Sequence, residues 1–277
     1  MNAFPTESTV DWASVRLPGI DNSTVAIVLG GAGAIGLEIT RAFAALGATV
    51  ALVSRSAERS AELAADLGGS AGRVLPAAAD MQDSASITQM VAEVVDRAGA
   101  PGVLVNSAAI GAPRRDPTEV PREQISTILD VNVVGAFEAA KAVAGPMRTR
   151  GGGRIVNVAS VAAQRALPGS APYAASKAAL ITLSHNLAVD LGPDQITVNS
   201  VSPGQTPTAL RNWDEPSGAP QSVATASTAD GVPLGRRGRL VDYVGAVLFL
   251  CSSLADYITG VDIPVEGGGR LVRALKY

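Results

Sequence analysis

The stretch Val25-Ala26-Ile27-Val28-Leu29-Gly30-Gly31-Ala32-Gly33-Ala34-Ile35-Gly36 decides the fold. Its first five residues are apolar and three of them are β-branched, which predicts a strand buried on both faces. The glycines that follow predict a tight turn, since a Cβ there would block the chain or anything approaching it. Gly31, Gly33 and Gly36 satisfy a Gly-x-Gly-x-x-Gly spacing. A turn of this kind aims backbone N–H groups, and the start of the helix at Ala34-Ile35-Gly36, at a pyrophosphate. In a chain rich in Ala and Gly the spacing recurs by chance, so its weight comes from its place after a strand and before a helix.

The same alternation runs outward from this point. Short β-branched runs lie at Val25–Leu29, Thr49–Val53, Val74–Ala77, Val103–Val105, Arg154–Val158, Thr197–Val201 and Val261–Val265. Helical stretches rich in Ala and Leu fall near 35–46, 57–67, 84–98, 121–149, 172–191 and 240–252. Continuously apolar strands alternating with helices predict an α/β fold, a doubly wound seven-stranded parallel sheet (a Rossmann fold) with helices on both faces. We read one domain over residues 23–277, preceded by a polar extension over 1–22. Within it, Gln205–Val232 is rich in Pro, Ser, Thr, Gly and Ala without periodicity and is expected to be a substrate lid.

Composition narrows the function classes. The 277 residues are 47 % apolar and 17 % charged, which suits one large packed domain. A net charge of −3 carries no footprint for nucleic acid. Polar residues or glycines interrupt every apolar run, so no membrane partner is expected. The N-terminal residues lack a basic stretch followed by an apolar one, and Cys251 is the only cysteine, which together suggest a cytoplasmic protein. One cysteine and one histidine, His185, cannot build the usual zinc site, so no metal is expected. His185 sits in a helical stretch with no nucleophile elbow near it, which disfavours a hydrolase triad.

A second constellation carries chemistry. Gly153–Ala159 reads as a strand that ends at Ser160, and thirteen positions later comes Tyr173-Ala174-Ala175-Ser176-Lys177. Tyr173 and Lys177 are four apart and share a helix face. A phenol titrates near pH 10 and is a poor base at neutrality, but a neighbouring ammonium lowers its pKa. Tyr173 is thus expected to act as general acid or base, Lys177 to support it, and Ser160 to hydrogen-bond the substrate oxygen.

Gly30–Gly36, Asn106-Ser107-Ala108-Ala109, Asn132, Ser160, Tyr173/Lys177 and Ser202-Pro203-Gly204 follow one another as in the short-chain dehydrogenase/reductase family, which residues 22–269 resemble. The resemblance implies an NAD(P)-dependent oxidoreductase that interconverts an alcohol and a ketone or aldehyde. It implies that Asn132 completes a catalytic tetrad by helping to hold a water, and that Lys177 also binds the nicotinamide ribose. It places Asp80, with Met81, beside the adenine, and Asn106 and Ala108 along the cofactor. Pro203, Gly204, Thr206 and Thr208 belong to the segment around its nicotinamide end. Four positions depart from the family pattern: Leu29 replaces a threonine, Ala34 falls on the middle glycine unless Gly33 substitutes for it one position earlier, and Ser107 and Ala109 replace the second Asn and the Gly of Asn-Asn-Ala-Gly.

Which nicotinamide cofactor is bound depends on the end of the second strand. An NAD site of this fold has an acid there for the ribose 2′-hydroxyl. This chain has Ser54 and then Arg55, which repel no 2′-phosphate and can bind one, so NADP is expected ahead of NAD. Alternatively, Arg55 stacks on the adenine or faces water. Gln164, Arg165 and Gln205 are expected to overhang the substrate. Arg114-Arg115 either steers an acidic substrate or is simply solvated. The segment Ala112–Pro121 resembles sugar-acid dehydrogenases, and 3-oxoacyl thioester reductases are an equal comparison. The family pairs the helices near 121–149 and 172–191, which implies a homo-oligomer, a tetramer or a dimer. A different class of function, a non-catalytic NAD(P)-binding sensor on the same fold, is the alternative.

Overall fold

A computed structural model describes residues 10–68, 72–111, 116–206 and 231–271. Seven strands form one parallel sheet: β1 (Val25–Leu29), β2 (Thr49–Ser54), β3 (Arg73–Ala78), β4 (Val103–Asn106), β5 (Gly153–Val158), β6 (Ile196–Pro203) and β7 (Asp262–Val265). Their order is β3-β2-β1-β4-β5-β6-β7. The described α-helices are α1 (Ala34–Ala45), α2 (Ala57–Asp66), α3 (Ser84–Ala98), α4 (Arg122–Leu129), α5 (Gly135–Arg150), α6 (Ala171–Leu191) and α7 (Val241–Cys251).

Strand β1 shows why both faces must be covered. Val25, Ile27 and Leu29 enter one buried cluster with residues of α3, α5 and α6, including Ile87, Val143 and Leu187. Ala26 and Val28 enter the other, with Ile39 and Phe43 of α1 and Val247 of α7. Alternate side chains of a strand point to opposite faces, so an uninterrupted apolar run fills two cores at once. Trp12 and Leu17 of the polar extension also pack against the second cluster, and Ser253 donates its N–H to the Pro18 carbonyl at 2.8 Å.

The order reverses between β1 and β4, where Leu29 pairs with Asn106. In open parallel sheets ligands bind at such a reversal, beyond the carboxyl ends of the strands. One element differs from expectation. The helix expected over 121–149 is split into α4 and α5 by a π-turn at Asp130–Val134, closed by a bond from the Gly135 N–H to the Asp130 carbonyl. Gly135 lies where a Cβ would stand 2.5 Å from the Met81 carbonyl, so the helix runs tight against the residues after β3. Arg114-Arg115, Thr208 and most of the expected lid lie outside the described residues.

Candidate active site

The glycine loop sits at the reversal. Gly30 has φ +71°, and a Cβ there would lie 2.7 Å from the backbone of Ala108. A Cβ on Gly36 would lie 2.2 Å from the Gly30 carbonyl oxygen. Only glycine allows the turn after β1 to fold back onto α1 while the segment after β4 crosses it. Gly33 caps α1, whose first intrahelical bond runs from Leu37 N–H to the Gly33 carbonyl, 2.8 Å. The N–H groups of Ala34, Ile35 and Gly36 precede that bond and face outward, as a helix start leaves them. Beside the loop, buried Asn106 donates to Asn157 Oδ1 at 3.4 Å while its own Oδ1 has no partner. A cradle that tolerates no Cβ, free N–H groups and an unpartnered amide oxygen fit a dinucleotide and its phosphates.

The other site residues converge beyond β5. Ser160 opens a short 3₁₀ turn, and its Oγ accepts the Ala162 N–H at 3.1 Å. The Ser160 hydroxyl acts on the Tyr173 phenol in the direction that favours its ionised form. Lys177, one helical turn on, is fully buried, and its Nζ donates to the Val158 carbonyl at 2.7 Å, two residues before Ser160. That Nζ stands 5.9 Å from the centre of the Tyr173 ring. Asn132 occupies the π-turn, also fully buried, where its side chain bonds both the N–H and the carbonyl of Ile110. A π-turn widens the helix locally and is common at functional sites.

The electrostatics correct one expectation. Burial raises the Tyr173 phenol above its ordinary 10.0, with the Ser160 hydroxyl pulling the other way. Burial also pulls the Lys177 ammonium down from 10.5 to about 7. The Tyr173 phenol was expected to be lowered by a charged neighbour, but both groups are shifted toward their neutral forms. Loss of water around two adjacent groups disfavours either charge.

The remaining sequence candidates are distributed as follows. Arg55 is exposed and has no partner among the described residues. The Ser54 hydroxyl donates to the Ser56 carbonyl at 2.8 Å and touches Ser60 Oγ at 2.9 Å. Asp80 is exposed and accepts the Gln82 N–H at 3.0 Å, while Met81 is buried. Pro203 ends β6, and a Cβ on Gly204 would lie 2.6 Å from Glu266 Cβ, another close approach. Thr206 is buried and hydrogen-bonds the Tyr243 hydroxyl, and the exposed Gln205 accepts the Gly238 N–H at 3.0 Å through its carbonyl. Gln164 follows the Ser160 turn, but its amide donates to Asp262 on β7. Arg165 is held the same way, donating to the Gly269 carbonyl at 3.0 Å. His185 is exposed on α6, away from this chemistry, and burial pushes the Cys251 thiol well above its ordinary range.

These contacts were not evident from spacing, yet the site they describe has relatives. A family model described as enoyl-(acyl carrier protein) reductase matches residues 30–269. A 3α-hydroxysteroid dehydrogenase of Mediterraneibacter gnavus is 35 % identical, over 89 % of this chain and 96 % of that protein. A D-threitol dehydrogenase of Mycolicibacterium smegmatis is 36 % identical, over 95 % and 96 %. The crystal structure of a short-chain type dehydrogenase/reductase from Mycobacterium marinum superposes with a TM-score of 0.81 at 32 % identity, covering 90 % of this chain and 97 % of that one. The chain belongs to the short-chain dehydrogenase/reductase family, as the order of its motifs implied. It is an oxidoreductase acting on CH–OH donors, of a family that uses NAD or NADP.

Proposed function

We propose that residues 23–277 form one NADP-preferring dehydrogenase/reductase domain that interconverts an alcohol and its ketone or aldehyde, with Tyr173 as the general acid and base. The reading rests on Ser160, Tyr173 and Lys177 lying together beyond β5, at the same carboxyl edge of the parallel sheet as the glycine loop after β1. Bound nicotinamide supplies or accepts the hydride at the carbon. In reduction, the Ser160 and Tyr173 hydroxyls hold the carbonyl oxygen, and Tyr173 gives it the proton. Lys177, when charged, stabilises the phenolate this leaves and returns a proton to it. Asn132, fixed to Ile110, holds the helix beside this proton route open at the π-turn. Oxidation runs the same transfers backward.

Gly30, Gly31, Gly33, Ala34, Ile35 and Gly36 would hold the pyrophosphate. Arg55 would take the 2′-phosphate, because the Ser54 and Ser56 hydroxyls are already committed locally. Asp80, Met81, Asn106, Ala108, Pro203, Gly204, Thr206 and Thr208 complete the cofactor set in this reading. Sugar acids, 3-oxoacyl thioesters and, from the name of the threitol-oxidising relative, polyols are the substrate classes to try first. Exposed Ile125, Leu129, Val134 and Phe137 along α4 and α5 support a homo-oligomer. A cytoplasmic setting completes the reading.

Tyr173→Phe tests the mechanism. It removes the proton donor and keeps the ring, so kcat should fall by orders of magnitude with cofactor affinity little changed. Near-normal turnover would sink the assignment. NADPH binding by the wild type with no turnover on any carbonyl or alcohol would favour the sensor reading instead.

A further inference from the structure

We infer that Ser176 is a positioning residue that locks the π-turn carrying Asn132 to the helix turn carrying Tyr173; the inference rests on the roles proposed above. Ser176 is fully buried. Its Oγ donates to the Tyr173 carbonyl at 2.7 Å and accepts from Asn132 Nδ2 at 3.0 Å. Asn132 in turn donates to the Ile110 carbonyl at 3.0 Å and accepts the Ile110 N–H at 2.9 Å. One chain of hydrogen bonds therefore joins the segment after β4, the π-turn and the start of α6.

The direction of every bond in that chain is fixed. A carbonyl only accepts, so the single Ser176 hydroxyl proton must lie on Tyr173 O. Ser176 must then accept from Asn132, which puts the amide nitrogen on that side. The Ile110 N–H needs an acceptor, which puts Asn132 Oδ1 on the other side. The amide cannot turn over without breaking three bonds at once. A π-turn is a rare insertion in a helix, most often found at functional sites, and its partners across the fold can hold it in place. Here the holding groups are Ile110 on one side and Ser176 on the other.

Removing the Ser176 hydroxyl leaves one Asn132 N–H unpaired in the interior. The π-turn can then relax, and the offset between Asn132 and Tyr173 is no longer set. Misplacement of about 1 Å near reacting groups costs up to roughly 100-fold in rate.

Hydrogen exchange tests this without turnover. Ser176→Ala should speed exchange at Ile110 and across 130–135 by about tenfold or more. Its kcat should fall by about 10- to 100-fold, with NADPH affinity within about twofold of wild type. Ser176→Thr keeps the hydroxyl, so both exchange and kcat should return to near wild-type values. Unchanged exchange at Ile110 in the alanine variant overturns the inference, and so does faster exchange with wild-type kcat. If the alanine variant does not fold, a folded threonine variant with wild-type exchange and kcat supports the inference, and one with a tenfold lower kcat overturns it. A wild type with no turnover would remove the reaction proposed above, and exchange at Ile110 would still decide whether Ser176 holds the turn.

Discussion

Lys177→Met should make the unliganded protein more stable at neutral pH while abolishing its reaction. Lys177 is buried to 2 % exposure, and its ammonium is pulled from 10.5 to about 7. That drop of roughly 3.5 pH units, at about 1.36 kcal/mol each, sets a ceiling of about 5 kcal/mol on the cost of burying the charge. The folded-state pKa lies below the unfolded one, so between them the unfolded chain binds more protons and stability rises with pH. The cost is thus nearly complete at and below about pH 7 and fades as pH climbs toward 10.5. Methionine fills a similar volume without a charge. It also strips the Val158 carbonyl of a donor at 2.7 Å, which gives back about 1–3 kcal/mol. The net gain should be about 1–3 kcal/mol near pH 7, shrinking toward zero or below by about pH 10. Urea unfolding of both proteins at one protomer concentration, repeated at the two pH values, measures it. A methionine variant that is less stable near pH 7, or an advantage that does not shrink with pH, would refute the argument.

Three further outcomes follow from the same geometry. Arg55→Ala should weaken NADPH binding by roughly 1.5–3 kcal/mol, as for a hydrogen bond to a charged group, and leave NADH nearly untouched; titration of both cofactors checks it, and equal losses would remove Arg55 as the discriminator. Light scattering at micromolar concentration should give a dimer or tetramer mass, because a monomer would leave Val134 and Phe137, 50 % and 42 % exposed, facing water. Reduction needs the protonated phenol, which burial keeps above 10.0, so its rate should hold level through neutrality, while oxidation should climb with pH into the alkaline range; an oxidation rate that falls with rising pH would contradict Tyr173 as the base.

The fold was largely legible because its signals are local. A run such as Val25–Leu29 needs a sheet with both faces covered, whatever the rest of the chain does. Apart from the helix split at Asp130–Val134, the strands and helices read from the sequence end within a residue or two of those observed. The strand expected from Val261 begins at Asp262, and the one expected to end at Val201 continues to Pro203. The glycine loop was legible for the same reason: Gly30 and Gly36 answer clashes within a few residues of themselves or with the adjacent strand end.

The candidate site could be proposed from the sequence, but the interactions among its residues could not be read there. Tyr173 and Lys177 announce themselves by a four-residue spacing, but spacing says nothing about water. It suggested a charged lysine lowering a phenol, whereas the depth of both groups shifts each toward neutrality. The π-turn was hidden because the run Asp130–Val134, rich in Val with one Asn, lowers helix propensity without specifying a π-turn. It coincides with the bonds between Asn132 and Ile110, twenty-two residues away, a separation no periodicity reports. In the sequence Ser176 is only one of three small residues between Tyr173 and Lys177. Its importance appears when one hydroxyl is found between Asn132 and the Tyr173 carbonyl. Gln164 shows the reverse case: a residue expected over the substrate is drawn to Asp262, a carboxylate that also accepts from Ser200 and Ser202 on β6. In each case the deciding partner comes from another strand or helix, so it exists only after the sheet has closed.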